Sequence, residues 1–172
     1  MVRLERLRAG HAPALLAFER ENREYFARSV PDRGDAYFAG FAARHAALLA
    51  EQEAGVCHFH VVLDEHGELV GRVNLVDVAD GAAELGYRVA GRAAGRGVAT
   101  AAVRQVCRPA AGPYRLVELR AVTTLDNPAS RAVLERTGFV LAGEAEPAGR
   151  PGVRYLRRLT DADRPDGAGA AG

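Results

Sequence analysis

A chain of 172 residues has the length of one ordinary domain, and 48% hydrophobic, 26% charged and 6% aromatic residues with a mean hydropathy of −0.12 exclude collagenous, disordered and membrane-spanning classes for its bulk. The 23 cations, all arginine, nearly cancel 22 acids to leave a net charge of +1. No global field therefore draws the chain to nucleic acid or to a membrane, and neither partner is expected.

The opening residues alternate charge with apolar groups and contain no continuous apolar run of the kind an export signal needs. Residues 2–8 are predicted as a first strand. Helical spacing then takes over, with apolar positions recurring at three- and four-residue intervals through residues 12–26 and 35–53, separated by Val30-Pro31-Asp32-Arg33-Gly34. Tyr25, Phe26, Tyr37, Phe38 and Phe41 read as core or as the wall of a cleft, and Arg20, Arg23 and Arg28 as a solvated face. From residue 56 the period becomes two: strands at 56–63, 68–76 and Ala82–Val89, joined by short turns, predict an antiparallel meander. A glycine-rich loop follows, then a helix at 98–107, a break at residues 108–113, a strand at 116–122, a helix at 128–137 and closing strands at 139–146 and 153–159. The fold class is α/β with a mixed sheet, an antiparallel meander followed by one β-α-β crossover. Residues 1–160 are read as a single domain and 161–172, rich in Gly, Ala, Asp and Pro, as a disordered tail.

Cys57 and Cys107 stand far apart with no metal-ligand spacing, so both read as core thiols, no metal is expected, and a reducing cytoplasm is the expected location. His58 and His60 share one strand face without a third ligand and read as surface or partly buried histidines.

The segment Val89-Ala90-Gly91-Arg92-Ala93-Ala94-Gly95-Arg96-Gly97-Val98-Ala99-Thr100 ends a strand and begins a helix through clustered glycines. Such a loop suits an anion, because bare glycines let amides approach phosphate oxygens while the helix start presents unpaired N–H groups and its positive dipole end. Arg92 and Arg96 add charge-assisted contacts. The plain alternative is a surface loop before a helix. A nucleoside-triphosphate loop is excluded by the absence of lysine. A dinucleotide fingerprint fits poorly: Gly95-Arg96-Gly97-Val98-Ala99 is followed by Thr100 where glycine is required, and the meander leaves too few parallel strands, although Glu118 lies near the spacing of a ribose-binding acid.

Arg92-Ala93-Ala94-Gly95-Arg96-Gly97 resembles the Arg/Gln-x-x-Gly-x-Gly/Ala segment of the GNAT superfamily of N-acetyltransferases. Asn127-Pro128-Ala129-Ser130, running on to Gly138-Phe139, is similar to a later motif of that superfamily, and its Asn-x-x-Ser form to the branch that acetylates the N-terminal alanines of ribosomal proteins. Glu84-Leu85-Gly86-Tyr87 and the stretch 25–38 resemble the same branch, and the likeness spans most of residues 1–159.

This resemblance implies a fold with a V-shaped splay between the strands at Ala82–Val89 and 116–122, and direct transfer of acetyl from acetyl-coenzyme A to an amine, with coenzyme A as product. It implies cofactor contacts along Tyr87, Arg88 and Val89, and at Arg92, Ala94, Gly95, Arg96, Gly97, Val98 and Ala99, with Asn127 and Ser130 on the later motif. A free amide near Val89 is implied as oxyanion donor. Glu84 reads as general base, as anchor of a cationic substrate, or as an exposed strand residue; Ser130 is the implied acid toward the thiolate. Asn127 before Pro128 also reads as a helix cap. Many superfamily members carry tyrosine where this chain has Leu134, which leaves Ser130, Tyr87 or water as the proton donor. Tyr87 can serve only if its ring faces the cleft, and alternation along the strand puts Glu84 and Tyr87 on opposite faces, so both are not expected to serve unless a bulge intervenes. The expected partner is an amine acceptor, either a protein N-terminus or a small molecule, with the enzyme acting as monomer or homodimer. A non-catalytic acyl-coenzyme A-binding module is the rival reading.

Overall fold

A computed structural model describes residues 1–165. The strands are β1 (Arg3–Arg6), β2 (His58–Leu63), β3 (Leu69–Ala79), β4 (Ala82–Val89), β5 (Glu118–Thr124), β6 (Val140–Ala145) and β7 (Gly152–Arg158). The helices are α1 (Ala12–Glu21), α2 (Arg23–Ala27), α3 (Asp35–Ala39), α4 (Phe41–Glu53), α5 (Val98–Ala111) and α6 (Pro128–Arg136). One seven-stranded sheet has the order β1-β2-β3-β4-β5-β7-β6, antiparallel throughout except for the parallel β4–β5 pair that α5 connects. A parallel pair requires such a crossover, and the mixed sheet is the one expected.

Both faces of the sheet are covered, which explains why every residue of β2 is buried. Leu15, Phe18, Phe26 and Phe41 from the first helices pack with Phe59, Val61 and Leu63 on one face. Val103, Val106 and Ala110 of α5 and Leu134 of α6 pack with Val73, Leu75, Leu85, Leu119 and Tyr155 on the other.

Several boundaries differ from those expected, β5 for one lying at Glu118–Thr124 and not at 116–122, and four of the departures have a local cause. The helix expected at 12–26 breaks at Asn22, whose side-chain amide donates to the Phe18 carbonyl at 2.9 Å and competes with the helical ladder. The helix at 35–53 breaks at Gly40, where α3 ends. α5 runs through Pro109 to Ala111 instead of stopping at 107, because one lost hydrogen bond near a helix end is offset by burying Ala110 and Ala111. β3 continues past Val76 to Ala79 across a bulge in which Asp77 takes φ 51°.

Some single-residue readings change as well. His58 and His60 are buried: the His58 ring stacks on Tyr114 at 3.6 Å and His60 Nε2 meets the Tyr114 hydroxyl at 2.7 Å. Burial pushes both imidazoles down to about 4. Arg23 is no free solvated cation, since it pairs with Asp32 at 2.7 Å and Asp35 at 2.8 Å and fastens the loop between α2 and α3. Both cysteines are buried free thiols, as expected, and burial raises each to about 11.

The tail expected from residue 161 has its first residues placed. Asp163 pairs with Arg157, and the Pro165 ring lies near Gly112. Residues 166–172 lie outside the described part of the chain.

Candidate active site

The sheet opens between β4 and β5. Their parallel register covers only Ala82↔Glu118, Ala83↔Leu119 and Glu84↔Arg120, while β4 continues to Val89 and β5, paired with β7 along its whole other edge, continues to Thr124. From Leu85 onward the edge of β4 facing β5 is thus without a strand partner. Main-chain groups on such an edge are available to an extended molecule that carries amides.

At the mouth of this notch lies the glycine loop. Gly95 and Gly97 take φ 72° and 75°, a region that side-chain-bearing residues rarely enter, and Gly97 is the residue from which α5 starts. Among the described residues, no acceptor is found for the amides of Gly95, Arg96, Gly97, Val98, Ala99 and Thr100. Nothing lies within 4 Å of the position a Cβ would take at either glycine. Unpaired donors, a helix start and bare approach together are chemistry that suits an anion. A cavity of about 290 Å³ lined by Arg92, Arg96, Gly97 and Val98 opens beside it, facing Asp64, Glu65 and His66 of the β2–β3 turn.

The loop is held from outside. Asn22 Oδ1 accepts from the Gly91 amide at 2.9 Å, and the Tyr25 ring packs so closely on Gly91 that a Cβ there would meet it at 3.2 Å. Neither contact is evident from the sequence, although a buried Asn at a helix break among apolar residues is the available signal.

Alternation along β4 divides the remaining candidates between the two faces. Tyr87 points toward α6, where its hydroxyl meets Ser130 Oγ at 3.0 Å; burial holds the phenol above its ordinary value and keeps it protonated. Ser130 is placed by the cap at the start of α6, for Asn127 Oδ1 accepts from the Ser130 amide at 3.1 Å and Pro128 occupies the first turn. Capping by Asn127 is thus observed, and its Oδ1 is already engaged. Leu134 is 1% exposed and belongs to the core.

On the opposite face stand Glu84, Gly86 and Arg88. Arg154 of β7 donates to Glu84 Oε1 at 2.8 Å, a partner that reaches across β5 and has no signature in sequence. The Arg88 guanidinium lies 3.5 Å from Glu19 and over the Phe26 ring, so only its main chain is directed to the notch. A Cβ at Gly86 would meet nothing within 4 Å, and Gly86 pairs with Asn74, which lines a cavity of about 410 Å³ between β3 and the helices α3 and α4. Among the described residues, no helix is long and apolar enough to cross a membrane, and no group of three or more His, Cys, Asp or Glu side chains is placed to hold a metal.

The sheet thus opens between its two parallel strands, with a run of unpartnered amides at the opening and a cavity across the sheet. The model of the acetyltransferase (GNAT) domain family matches residues 2–140, and the chain belongs to that family of acetyltransferases. No curated protein sequence matches. Among solved structures, the chain is similar to a ribosomal-protein-S5-alanine acetyltransferase from Vibrio fischeri (TM-score 0.84, 21% identity, covering 93% of this chain and 94% of that one). It is also similar to RimJ of Mycobacterium smegmatis, solved in complex with coenzyme A disulfide (TM-score 0.82, 24% identity, 91% and 81% covered). A spermidine N-acetyltransferase variant from Vibrio cholerae is similar too (TM-score 0.73, 17% identity, 92% and 94% covered). At these identities the likeness speaks for the fold alone.

Proposed function

We infer that residues 1–160 form one catalytic domain that uses acetyl-coenzyme A to acetylate the amine of an acceptor, with a protein N-terminus such as that of a ribosomal protein, or a small amine, as acceptor. The observation that carries this reading is the run of unpartnered amides from Gly95 to Thr100 at the start of α5, opening onto the unpaired edge of β4. When bound, the carrier supplies an acyl group already activated as a thioester. The amides of the loop bind the diphosphate, and the β4 edge from Leu85 to Val89 pairs with the amide-containing arm as an added strand would.

Acyl transfer to an amine needs a neutral nucleophile, donors for the developing oxyanion and a proton for the departing thiolate. Glu84, oriented by Arg154, is the proposed base, acting directly or through a water on the acceptor ammonium from the Gly86 face. A main-chain amide near Val89 is the proposed oxyanion donor. Ser130, hydrogen-bonded to a protonated Tyr87, is the proposed donor toward sulfur, so the two hydroxyls work as one relay. β4 has no bulge between Glu84 and Tyr87, so the two proposed roles lie on opposite faces of the strand, and it is the unpaired edge beyond Glu84 that would let both be reached from one opening. Isothermal titration with acetyl-coenzyme A, followed by thiol release on adding amines, tests the reading; a protein that binds the carrier but releases thiol no faster with any amine would support the binding-module reading instead.

A further inference from the structure

The cavity beside Gly86 has an uneven distribution of charge that the transfer reading does not account for. Beside it, Glu19, 1% exposed, is shared by Arg72 of the cavity wall (Nε to Oε1, 2.9 Å) and by Arg88 (Nη1 to Oε2, 3.5 Å), which with Glu19 lines a separate small recess next to Phe26. The first contact lies off the hydrogen-bond axis, so Arg72 Nε and Glu19 Oε1 remain buried without a directed hydrogen bond. Arg33 joins them, its guanidinium 4.5 Å from the centre of the Tyr37 ring that lines the same cavity. The acids flanking Arg33 in sequence are occupied, since Asp32 and Asp35 both pair with Arg23. Of the other carboxylates on the cavity wall, Glu51 pairs with Arg44 at 3.5 Å, and Asp77 lies five residues along β3 from Arg72, about 17 Å away. Three guanidiniums therefore face one carboxylate. Desolvation lowers Arg72 to about 10 and Arg88 below its ordinary value, and in both cases the charge of Arg33 adds to the effect. A structural ion pair needs one cation for Glu19; surplus guanidiniums, forked and partly accessible, are how proteins receive carboxylates.

We propose that the acceptor of this enzyme is an amine bearing a carboxylate, which Arg33 and Arg72 of the cavity wall receive while the amine lies over Gly86. The inference rests on the acetyl-transfer reading and narrows its substrate. The register sets the spacing: Asn74 faces Gly86 and Arg72 faces Arg88, so the anion site stands one two-residue step, about 7 Å, from the point of attack. The carboxylate is thus a few bonds from the amine. A small amino acid meets this condition, as does a peptide with an acidic residue beside its N-terminus, whereas a polyamine would be repelled.

Matched acceptors isolate the charge: 4-aminobutyrate against 4-aminobutanamide, and the peptide amides Ala-Glu-Ala-Ala against Ala-Gln-Ala-Ala, each assayed by thiol release, with spermidine as cationic comparison. The carboxylate member of at least one pair is expected to exceed its neutral twin tenfold or more in kcat/KM, mainly through KM, and which pair responds tells a small molecule from a protein N-terminus. In Arg33→Gln, a loop position, that ratio should fall toward one; in Arg44→Gln, at the far end of the cavity, it should persist. Equal rates within both pairs, or preference for spermidine, would overturn the proposal while leaving acetyl transfer intact. Should no acceptor be acetylated, the transfer reading fails instead, and the subsite is then decided by the unfolding midpoint. A rise with the carboxylate acceptor that is absent with its amide and lost in Arg33→Gln sustains the subsite, and no such rise overturns it.

Discussion

Gly97→Ala separates the cradle from the fold that carries it. The position has φ 75° and nothing within 4 Å of an added Cβ, so the substitution creates no clash and costs only the left-handed strain, about 1–2 kcal/mol. For a chain of this size that amounts to a fall of roughly 2–8 °C in Tm. The methyl, however, would stand in front of the amides at the start of α5. Losing one charge-assisted amide contact to a phosphate costs about 1.5–3 kcal/mol, or roughly 10- to 150-fold in Kd. Gly149→Ala supplies the control, with φ 73° and equally open surroundings in the β6–β7 connection, outside the glycine loop. Calorimetric titration with coenzyme A is expected to show the affinity loss in Gly97→Ala alone, while thermal unfolding shows similar destabilisation in both. Equal affinity in the two folded variants would refute the assignment of the diphosphate to these amides.

Glu84→Gln is expected to lower kcat by about 10²-fold or more at neutral pH with coenzyme A affinity retained, as measured by steady-state thiol release and titration; parental turnover would remove Glu84 as base. Tyr87→Phe and Ser130→Ala should each lower kcat, and the double variant should cost less than the product of the two because they share one hydrogen bond, which a double-mutant cycle reads directly. Asn22→Ala removes the side-chain bonds to Phe18 and Gly91 and should destabilise by about 1–3 kcal/mol in denaturant unfolding while weakening coenzyme A binding through the displaced loop. His58 and His60, pushed by burial from 6.5 to about 4, take up protons more readily in the unfolded chain, so their contribution is complete above pH 6.5 and lost as the pH falls toward 4. Unfolding midpoints measured between pH 7 and 4.5 should fall, and less steeply in His60→Asn.

Much of the chain follows from local chemistry. The change from helical spacing to alternation at residue 56, the turns of the meander and the glycines before α5 fix the element types, because hydrophobic period and left-handed backbone are written residue by residue. Asn127 and Pro128 likewise cap α6 by adjacency, and strand alternation alone separates Glu84 from Tyr87. The places where local reading failed, Asn22, Gly40 and Pro109, are those where a side-chain amide, a missing side chain or buried alanines outweigh propensity.

Tertiary structure decided the partners. Arg154 reaches Glu84 across β5, Tyr87 meets Ser130 over 43 residues of sequence, and Asn22 grips Gly91 over 69. Arginines 33, 72 and 88 come together because a loop and two strands place them around Glu19. Charges and hydroxyls are short-range instruments whose action depends on distances of a few ångströms, and distances between remote residues are set by packing and register, which no window of sequence contains.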